Sequence, residues 1–320
     1  MSILLITNQE DITADFVVKS LRKKRLTFYR LNTEYIGRSV HVSFDFSTDQ
    51  FYLKDTYSQQ LIDLNDISSV YFRRPEINSQ FTDLSPGEEN FVRSELLFTL
   101  EGLYRILRNA FWISKVHAIR NAENKLYQLQ LAKEIGFHIP DSLVTSEPEV
   151  ALAFYKRHGQ QCIIKPIRSG QVGHDYEEGV IFTSQVELSE KNVRRITSCP
   201  VYMQPLIEKQ SDVRVTVVGD QLFSARIYSQ QREDSSIDWR RSAIPLEHAV
   251  LELPLNVSEQ CVRLVKALDL QYGAIDFIED KDGNFIFLEI NPNGQWAWIE
   301  NRLNLNISDA ITALLDKAVD

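Results

Sequence analysis

Cysteine and histidine are scarce in this sequence of 320 residues. The three cysteines, Cys162, Cys199 and Cys261, are odd in number, lie far apart and show no CxxC spacing, which is typical of reduced thiols. The six histidines form no HxH or HxxxH pair, so they indicate no metal site. These absences argue against a disulfide-stabilised or zinc-stabilised protein.

Long apolar segments are also missing. No uncharged apolar run approaches the roughly 18 residues that a membrane-spanning helix needs. The opening segment MSILLIT runs directly into polar NQED and has neither a basic region nor a small-residue cleavage site, so it does not read as a signal peptide. We therefore expect a cytoplasmic protein without a membrane partner.

The sequence has no excess of basic residues. It contains 35 Lys and Arg against 44 Asp and Glu, and the net charge of -9 argues against a nucleic-acid partner. What it does have is the composition of a globular protein, with 43% hydrophobic and 25% charged residues. The length suggests about two domains, and no repeat, low-complexity segment or long linker is visible between them.

The N-terminal third has the periodicity of an α/β domain that ends near residue 118. Helices are predicted at 11–24 and from about 86 to 107, the second with Pro86 at its start and acidic residues in its first turn. The predicted strands lie at 2–7, 26–31, 40–46, 50–53 and 68–74.

The rest of the sequence becomes rich in strands, which gives a mixed α/β (α+β) fold class. A helix is predicted from Asn121 to Ile135, where Gly136 ends it, and others at 148–156, 257–268 and 307–319. The predicted strands lie at 142–145, 161–166, 202–207, 212–219, 221–229, 271–279 and 284–291.

The last two of these strands predict a metal site. Asp-Gly between two apolar runs is a strong hairpin signal, and a hairpin centred between Asp282 and Gly283 pairs residues whose numbers sum to 565. Asp276 then lies opposite Glu289, and two opposed carboxylates repel each other unless a cation joins them. Asn291 falls on the same face, which completes an all-oxygen set suited to Mg²⁺.

This metal-site hypothesis depends on the hairpin register. A slip of one residue would turn the two carboxylates to opposite faces. The repulsion between the two carboxylates costs more if the face that carries them is buried among Ile275, Phe277, Phe287 and Leu288. The alternative is a pair of solvent-facing acidic residues on an edge hairpin.

A lysine followed by a glycine loop predicts a phosphate-binding segment. Lys165 ends the apolar strand CIIKP, and Ser169, Gly170 and Gly173 follow in a loop whose backbone N–H groups can close over phosphates. Lys125, at a predicted helix start, is a second candidate. Each feature alone is explained as well by a surface lysine or an ordinary turn.

The segment MQPLIEKQSDVR is predicted to join two strands through a polar loop at 208–212. Such a segment offers backbone N–H and C=O groups to an adenine edge and a carboxylate to ribose hydroxyls. Taken by itself, it is an ordinary strand–loop–strand connection.

In their order and spacing, these motifs resemble the ATP-grasp superfamily. The motifs are NK at 124–125, IIKP at 163–166, SGQVG at 169–173, QPLIE at 204–208, DVR at 212–214, AID at 274–276 and FLEINPNGQW at 287–296. Within the superfamily, the sequence is most similar to the ligases that make graspetides, the microviridin-type ω-ester and ω-amide peptides. The closer resemblance rests on FLEINPNGQWAWIE, on Asp238-Trp239-Arg240 and on YFRRP at 71–75.

The resemblance implies an ATP-grasp fold with an N-terminal preATP-grasp domain at 1–118, a central lid domain at 119–200 and a C-terminal antiparallel-sheet domain at 201–320. It implies ATP and two Mg²⁺ ions as cofactors, with Asp276, Glu289 and Asn291 as metal ligands. The implied nucleotide-binding residues are Lys125 and Lys165 for phosphates, with Ser169 and Gly170 in the adjoining loop, Gln204 and Leu206 for adenine, and either Glu208 or Asp212 for the ribose.

The implied chemistry is transfer of the γ-phosphoryl group of ATP to a carboxylate, followed by attack of a hydroxyl or amine on the acyl phosphate. Arg226 and Arg214 are the candidate catalytic residues, because a planar guanidinium suits both a phosphate and an oxyanion. Pairing with acidic neighbours across the sheet is the alternative for both arginines.

The implied substrate is a precursor peptide with a leader and an acidic core, and a homodimer is the implied assembly. Arg240 and Arg241 are candidates for recruiting the acidic core. Arg73 and Arg74 are further candidates, although a buried pair that stabilises the first domain explains them equally well.

Three other functions fit the same nucleotide site. A ligase for amino acids or other small molecules would differ only in its acceptor, and a phosphotransferase would release a phosphorylated product. A non-catalytic ATP-binding regulator is the third, although such a protein has no need for a full set of oxygen ligands and two lysines.

Overall fold

The structure is a computed structural model and describes residues 2–77, 84–168, 171–174 and 177–317. The strands are β1 (Ser2–Thr7), β2 (Phe28–Asn32), β3 (Val40–Asp45), β4 (Gln50–Asp55), β5 (Gln60–Asp63), β6 (Ile67–Phe72), β7 (Phe111–Ile113), β8 (Leu143–Thr145), β9 (Cys162–Lys165), β10 (Gln171–His174), β11 (Glu177–Val180), β12 (Ser184–Val186), β13 (Val201–Pro205), β14 (Lys209–Val218), β15 (Gln221–Ile227), β16 (His248–Val250), β17 (Tyr272–Asp280) and β18 (Phe285–Asn291). The α-helices are α1 (Ile12–Lys23), α2 (Pro86–Ile106), α3 (Val116–Ala122), α4 (Lys125–Ile135), α5 (Pro148–Arg157), α6 (Leu255–Ala267), α7 (Ala297–Leu303) and α8 (Ile307–Asp316).

The chain forms two compact units. The first combines Met1–Ile119, Asp269–Tyr272 and Asn293–Asp320, and the second combines Arg120–Leu268 with Gly273–Pro292. The predicted boundary at 118 lies next to the end of the first segment, whereas the last residues join the first unit. The division of the remainder at residue 200 stays a prediction, because both of its parts belong to the second unit.

The first unit is built on a parallel sheet in the order β2-β1-β6-β7. The run Ile3 to Ile6 on the inner strand β1 is fully buried, as expected for a parallel strand covered on both faces. Asp11 caps α1 by accepting a hydrogen bond from the Thr13 N–H. The predicted βαβ opening is therefore confirmed. A separate antiparallel sheet, β3-β4-β5, belongs to the same unit.

The second unit contains two larger antiparallel sheets and a hairpin. The first sheet has the order β12-β9-β13-β8, the second has the order β16-β15-β14-β17-β18, and β10 pairs with β11. Phe277 and Phe287 of the second sheet pack around Phe137, at ring-centroid distances of 5.7 and 5.2 Å. Among the described residues, no helix is both long and apolar enough to cross a membrane.

Two local predictions are corrected in this unit. The helix predicted from Asn121 is interrupted, because the Asn124 side chain accepts from the N–H groups of Leu126 and Tyr127 and starts α4 at Lys125. Gly136, with φ of 95°, ends α4 as predicted. The polar segment 208–212, predicted as a loop, is mostly strand, since β14 already begins at Lys209.

The side chain of Gln128 fixes α4 against the strand β18. Its Nε2 donates to the carbonyls of Ala122 and Ile290 at 2.6 and 2.8 Å, and its Oε1 accepts from the Ile290 N–H at 3.0 Å. The amide thus satisfies both backbone groups of an edge-strand residue, as a neighbouring strand would. As a result, the start of α4 lies beside Glu289.

Candidate active site

Asp276 and Glu289 lie directly opposite each other on β17 and β18. The predicted pair is present, but the hairpin is not centred as predicted, because Glu279 pairs with Phe285 and the sum near the turn is 564. A bulge then leaves Leu288 without a partner and moves Glu289 opposite Asp276. Asn291, opposite Ala274, lies on the same face.

The bulge also places the carboxylates on the face opposite to these apolar side chains. Asp276 and Phe277 are neighbours on a regular strand, so their side chains point to opposite faces. Phe277 and Phe287 are fully buried on the core face, together with Ile275. The carboxylates therefore lie on the other face, where they are mostly but not fully buried, with exposed side-chain fractions of 14% for Asp276 and 22% for Glu289.

Each of these carboxylates has a basic partner. Arg214 on β14 donates to Asp276 from Nε at 2.6 Å and from Nη2 at 3.1 Å, a two-point contact. Lys125 Nζ lies 3.0 Å from Glu289 Oε2 and also donates to the Pro166 carbonyl at 3.2 Å. The start of α4 and the end of β9 are thus tied together beside Glu289.

Lys165, at the end of β9, contributes a further cation. Its Nζ lies 5.5 Å from the centre of the Tyr202 ring, within the range of a cation–π contact. Burial lowers the pKa of Lys165 to about 8, against the opposing attraction of Glu289. An anion bound beside Lys165 would therefore favour its charged form.

The two carboxylates respond differently to the same surroundings. Burial raises the pKa of Asp276, and the Glu289 charge adds to this effect, while Arg214 opposes it. Burial also acts to raise the pKa of Glu289, but Lys125, Lys165 and Arg240 outweigh it and hold the value below its usual range. Glu289 is accordingly the more firmly ionised member of the pair.

Arg240 approaches this cluster from the segment that follows β15. Asp238, which is buried, accepts from Arg240 Nε and Nη2, both at 2.8 Å, and this contact raises the pKa of Arg240. The neighbouring Trp239 ring lies 5.8 Å from the Arg214 guanidinium carbon. Lys209 Nζ donates to the Ile237 carbonyl at 3.2 Å, which fixes the segment to the sheet.

The side chains of this site carry more positive than negative charge. Four cations and three carboxylates make up the cluster, namely Lys125, Lys165, Arg214 and Arg240 with Asp238, Asp276 and Glu289. A lone divalent cation would add to this excess, whereas a polyphosphate would neutralise it. Among the residues that the structure describes, no group of three or more His, Cys, Asp and Glu side chains is arranged to hold a metal.

Asp276, Glu289 and Asn291 nevertheless fit Mg²⁺ when phosphate oxygens complete its coordination, since Mg²⁺ commonly uses one or two carboxylates in this way.

One of the residues predicted to bind adenine has an unsatisfied hydrogen-bond acceptor. Gln204 is buried, and its Nε2 donates to the Ser142 and Tyr202 hydroxyls at 2.8 and 2.7 Å, while its Oε1 has no hydrogen-bond partner. A buried acceptor of this kind fits the amino group of an adenine.

The other predicted nucleotide residues differ in availability. The N–H of Leu206 donates to the Gln161 carbonyl at 2.8 Å, so this N–H is not available to an adenine edge. Asp212 is buried against Lys209 at 2.7 Å, whereas Glu208 is exposed and paired with Lys281. Glu208 is therefore the more accessible of the two ribose candidates. Ser169 and Gly170 lie outside the described residues.

Arg226 does not join the cluster. On β15 it pairs with Val213, whereas Arg214 pairs with Ala225, so the two arginines point to opposite faces of the sheet. Arg226 donates instead to Glu279 from Nε at 2.8 Å and from Nη2 at 2.6 Å. Pairing with an acidic neighbour across the sheet was the alternative interpretation of Arg226. The catalytic role of Arg226 stays a prediction, and this geometry does not support it.

The remaining predicted arginines occupy three different environments. Arg73 is 1% exposed and donates to the carbonyls of Asn293 and Gly294 at 3.0 and 2.9 Å, besides its contact with Asp11 at 3.4 Å. It is thus a buried residue of the first unit rather than a surface for a peptide. Arg74 is exposed. Arg241 lies 5.9 Å from the Phe182 ring and lines a cavity of 720 Å³.

Sequence reasoning missed two positioning residues, Gln128 and Asp238. Gln128 stands next to Leu129 in the apolar stretch of its helix, and a polar residue at such a position is a usable signal. Asp238 was noted only as part of a motif. Its function of orienting Arg240 depends on burial, which the sequence does not reveal.

The fold and this site define an ATP-grasp enzyme, and the mixed α/β fold class is confirmed. The RimK-like ATP-grasp domain family matches residues 122–315, and the MvdD pre-ATP grasp domain matches residues 2–120. The chain therefore belongs to the RimK-like ATP-grasp family and carries an MvdD-type N-terminal domain.

Solved structures and named relatives agree with this membership. A RiPP-associated ATP-grasp ligase from Chryseobacterium gregarium, in complex with ADP and a leader and core peptide, is 28% identical with a TM-score of 0.89, over 99% of this chain and 96% of that chain. The macrocyclase MdnB from Microcystis aeruginosa MRC is 31% identical with a TM-score of 0.79, over 98% of each chain.

A probable alpha-L-glutamate ligase from Haemophilus influenzae is 24% identical over 208 residues, which are 64% of this chain and 66% of that protein. The family and these relatives together indicate an ATP-dependent carboxylate–amine/alcohol ligase that resembles graspetide maturases. Membership of the family also implies dependence on ATP and Mg²⁺.

Proposed function

We propose that the chain phosphorylates Asp or Glu side-chain carboxylates of a ribosomal precursor peptide and closes ω-ester or ω-amide rings with Ser, Thr or Lys side chains. The observation that carries this proposal is the Asp276–Glu289 pair within an excess of cations. A peptide substrate is supported by the similarity of nearly the whole chain to a ligase whose structure was solved with a leader and core peptide.

The residues of the cluster have distinct proposed functions. Lys125 and Lys165 bind ATP phosphates, Asp276, Glu289 and Asn291 hold Mg²⁺, as two ions, and Gln204 orients the adenine. When bound, ATP and Mg²⁺ supply the phosphoryl group and neutralise its charge. Because these side chains are held by α4, β9 and the β17–β18 hairpin, they can position the phosphate chain with little rearrangement.

Arg214 and Arg240 are proposed to stabilise charge that develops on the acceptor. The γ-phosphoryl group passes to the peptide carboxylate, ADP leaves, and the hydroxyl or amine then attacks the acyl phosphate with loss of phosphate and a proton. Arg240 is 49% exposed while Asp238 fixes its orientation, so it can contact an incoming carboxylate. Arg241 and the cavity that it lines are proposed to hold the peptide beyond the reacting residue.

Mass spectrometry tests this function. A candidate precursor, encoded next to this gene and carrying a repeated Thr-rich and Glu/Asp-rich C-terminal segment, is incubated with the protein, ATP and Mg²⁺. Each closed ring should remove about 18 Da, because each condensation through an acyl phosphate expels one water in total. Glu289→Gln should abolish the loss. An unchanged mass, in a protein that binds ATP, contradicts the peptide substrate.

A second candidate function is ligation of a free amino acid to an amine. The observation in its favour is the sequence likeness to a probable alpha-L-glutamate ligase. Phosphate release from ATP in the presence of single amino acids distinguishes the two functions. Stimulation by glutamate, with no stimulation by the precursor, would favour the amino-acid ligase.

A further inference from the structure

Two hydroxyl groups of the second unit hold the side-chain amide of Gln204. The amide Nε2 donates to Ser142 Oγ at 2.8 Å and to Tyr202 Oη at 2.7 Å. Gln204 is 1% exposed, and its Oε1 has no hydrogen-bond partner among the residues that the structure describes. Both hydrogens of the amide nitrogen are therefore used inside the protein, and the amide oxygen is left for a ligand.

The strand order places these three side chains together. Tyr202 and Gln204 are two residues apart on β13, so their side chains share a face of the sheet. The neighbouring strand β8 pairs Leu143 with Met203 in antiparallel register, and one further step along this register brings Ser142 opposite Gln204. Ser142 therefore reaches the amide from an adjacent strand, and backbone pairing fixes its position.

The hydroxyl hydrogen of Ser142 already has an acceptor. Ser142 Oγ donates to the carbonyl of Pro140 at 2.9 Å. A hydroxyl group has a single hydrogen, so Ser142 Oγ can meet Gln204 only as an acceptor. The group of Gln204 that faces Ser142 must then be the donor, which is the amide nitrogen.

Rotation of the amide by 180° would break this arrangement. Gln204 Oε1 would then face the hydroxyls of Ser142 and Tyr202 at 2.7–2.8 Å, while Ser142 still meets the Pro140 carbonyl. Two hydroxyl hydrogens would have to serve three oxygen–oxygen contacts, and one contact would be left without a hydrogen bond. The two ends of an amide have nearly the same shape, so this count of hydrogens, and not packing, decides the orientation.

An amide oxygen held in one orientation distinguishes between purines. Adenine carries an amino group at position 6, which donates to an acceptor such as Gln204 Oε1. Guanine and hypoxanthine carry an oxygen at the same position, and this oxygen would face Oε1 as a second acceptor. Discrimination is strong when the wrong ligand leaves a buried polar group without a partner.

We propose that Ser142 sets the preference of the nucleotide site for adenine over purines with an oxygen at position 6. Ser142 acts through Gln204, because its hydrogen bond to the Pro140 carbonyl holds the amide with the oxygen towards the base. It is therefore a positioning residue that determines specificity. The inference rests on the contact between Gln204 and adenine in the proposed function.

Titration calorimetry of the full chain with ATP and with ITP, each in Mg²⁺, tests this inference. The wild type should bind ATP at least about 10-fold more tightly than ITP. Ser142→Ala frees the amide to rotate, because the Tyr202 hydroxyl alone can accept from the nitrogen or donate to the oxygen. The ratio of the two affinities should fall by about 10-fold or more, chiefly because ITP binds more tightly. Misfolding cannot imitate such a gain, and an unchanged ratio overturns the proposal.

Two conservative variants serve as controls. Ser142→Thr keeps the hydroxyl at an exposed residue and should keep the preference for ATP. Tyr202→Phe keeps the contact between Ser142 and Pro140, and it also keeps the aromatic ring 5.5 Å from Lys165 Nζ, so it should likewise prefer ATP. Loss of the preference in Tyr202→Phe, with its retention in Ser142→Ala, would assign the orientation to Tyr202 and overturn the proposal.

Gln204→Leu shows whether Ser142 acts through the amide. The substitution should lower the ratio of ATP to ITP affinity, and Ser142→Ala added to it should have no further effect. An equal effect of Ser142→Ala with and without Gln204→Leu would indicate a direct contact with the base and contradict the inference. If Gln204→Leu leaves the wild-type ratio unchanged, the contact between Gln204 and adenine fails, and this inference fails with it. These titrations contain no peptide, so a failure of peptide ligation would leave their outcome unaffected.

Discussion

Glu289 stands opposite Asp276 because the strand that carries it contains one extra residue, Leu288, just before it. Without this bulge, the register set at the turn would place Leu288 opposite Asp276. In a regular strand, Phe287 and Glu289 would also share a face. The bulge lets the aromatic ring enter the core while the carboxylate points to the site, a common use of bulges beside functional residues.

The charge excess of the site leads to a prediction about Mg²⁺. We expect the ion to bind together with the nucleotide and weakly without it, because Lys125 and Arg214 already neutralise the two carboxylates. Glu289→Gln should reduce the gain in ATP affinity that Mg²⁺ provides by about 10-fold or more, since it removes a charged oxygen ligand. Isothermal titration with ATP in Mg²⁺ and in EDTA measures this gain.

Glu279→Gln is the matched control for this experiment. It removes the same charge from the same strand as Asp276, but on the face where Arg226 lies. The Mg²⁺-dependent gain should survive in this variant. An equal loss in both variants would show that general charge, rather than metal ligation, explains the effect.

The adenine contact gives a second prediction. Gln204→Leu removes a buried acceptor that has no partner in the protein and also leaves two hydroxyls without their donor. ATP affinity should fall by about 10-fold, the magnitude of one hydrogen bond in a buried site. The measurement is titration with ATP and with a triphosphate that lacks the adenine amino group. If both ligands lose affinity equally, Gln204 does not contact that group.

The hairpin shows how far the sequence could predict this site. Alternating apolar residues around Asp-Gly were sufficient to find both strands and to pair Asp276 with Glu289. The pairing was reached through a turn centre that the structure does not have, and the bulge compensated for the error. A bulge depends on which side chains the core accepts, here Phe277 with Phe287, and no local pattern encodes that choice.

A third prediction concerns Arg226. Its ion pair with Glu279, to which Ser211 also donates at 2.6 Å, should stabilise the sheet. The double-mutant cycle of Arg226→Gln and Glu279→Gln should give a coupling energy of about 1–2 kcal/mol in the free energy of unfolding, as for a partly buried charge pair. Urea denaturation measures it. A coupling near zero would remove the structural explanation and return Arg226 to the catalytic candidates.

Arg73 and Arg74 provide a fourth prediction and its control. Arg73→Met leaves Asp11 as a buried charge without its cation and should lower the free energy of unfolding by about 3–5 kcal/mol. Arg74→Ala, at the exposed neighbour, should change it by less than about 0.5 kcal/mol. Thermal and urea denaturation compare the two. Similar losses in both variants would mean that Arg73 does not provide the charge compensation described here.

The arginines show why the function of a basic residue could not be assigned from its charge alone. Arg73, Arg226 and Arg240 are equally basic in the sequence, yet one is buried with backbone carbonyls, one lies in a cross-sheet pair and one faces the site. The distinction depends on which face of its strand each side chain occupies and on how deeply it is buried in the folded chain. The face of the sheet on which Arg226 lies could have been derived from the β14–β15 hairpin, because Gly219 and Asp220 fix the turn of that hairpin.

The final prediction concerns the pH dependence of nucleotide binding through Lys165. Because burial lowers the pKa of Lys165 to about 8, the free protein loses this positive charge as pH rises through 8. A bound phosphate favours the ammonium, so the affinity for ATP should fall from pH 7 to pH 9. Below pH 8 the folded protein carries the buried charge of Lys165, which lowers the free energy of unfolding. Between pH 8 and the ordinary lysine pKa of about 10.4, the folded protein has lost this proton while the unfolded chain keeps it, so the free energy of unfolding should increase with pH.

Two substitutions separate this charge effect from a loss of packing. Lys165→Arg keeps its charge throughout this range and should bind ATP with a weaker dependence on pH. Lys165→Met should bind ATP poorly at every pH but should be more stable than the wild type below pH 8. Calorimetry at pH 8 in two buffers of different ionisation enthalpy should detect uptake of a fraction of a proton when ATP binds to the wild type, and none for either variant. Equal uptake in the Lys165→Met variant would assign the proton to another group and contradict the proposed contact between Lys165 and phosphate.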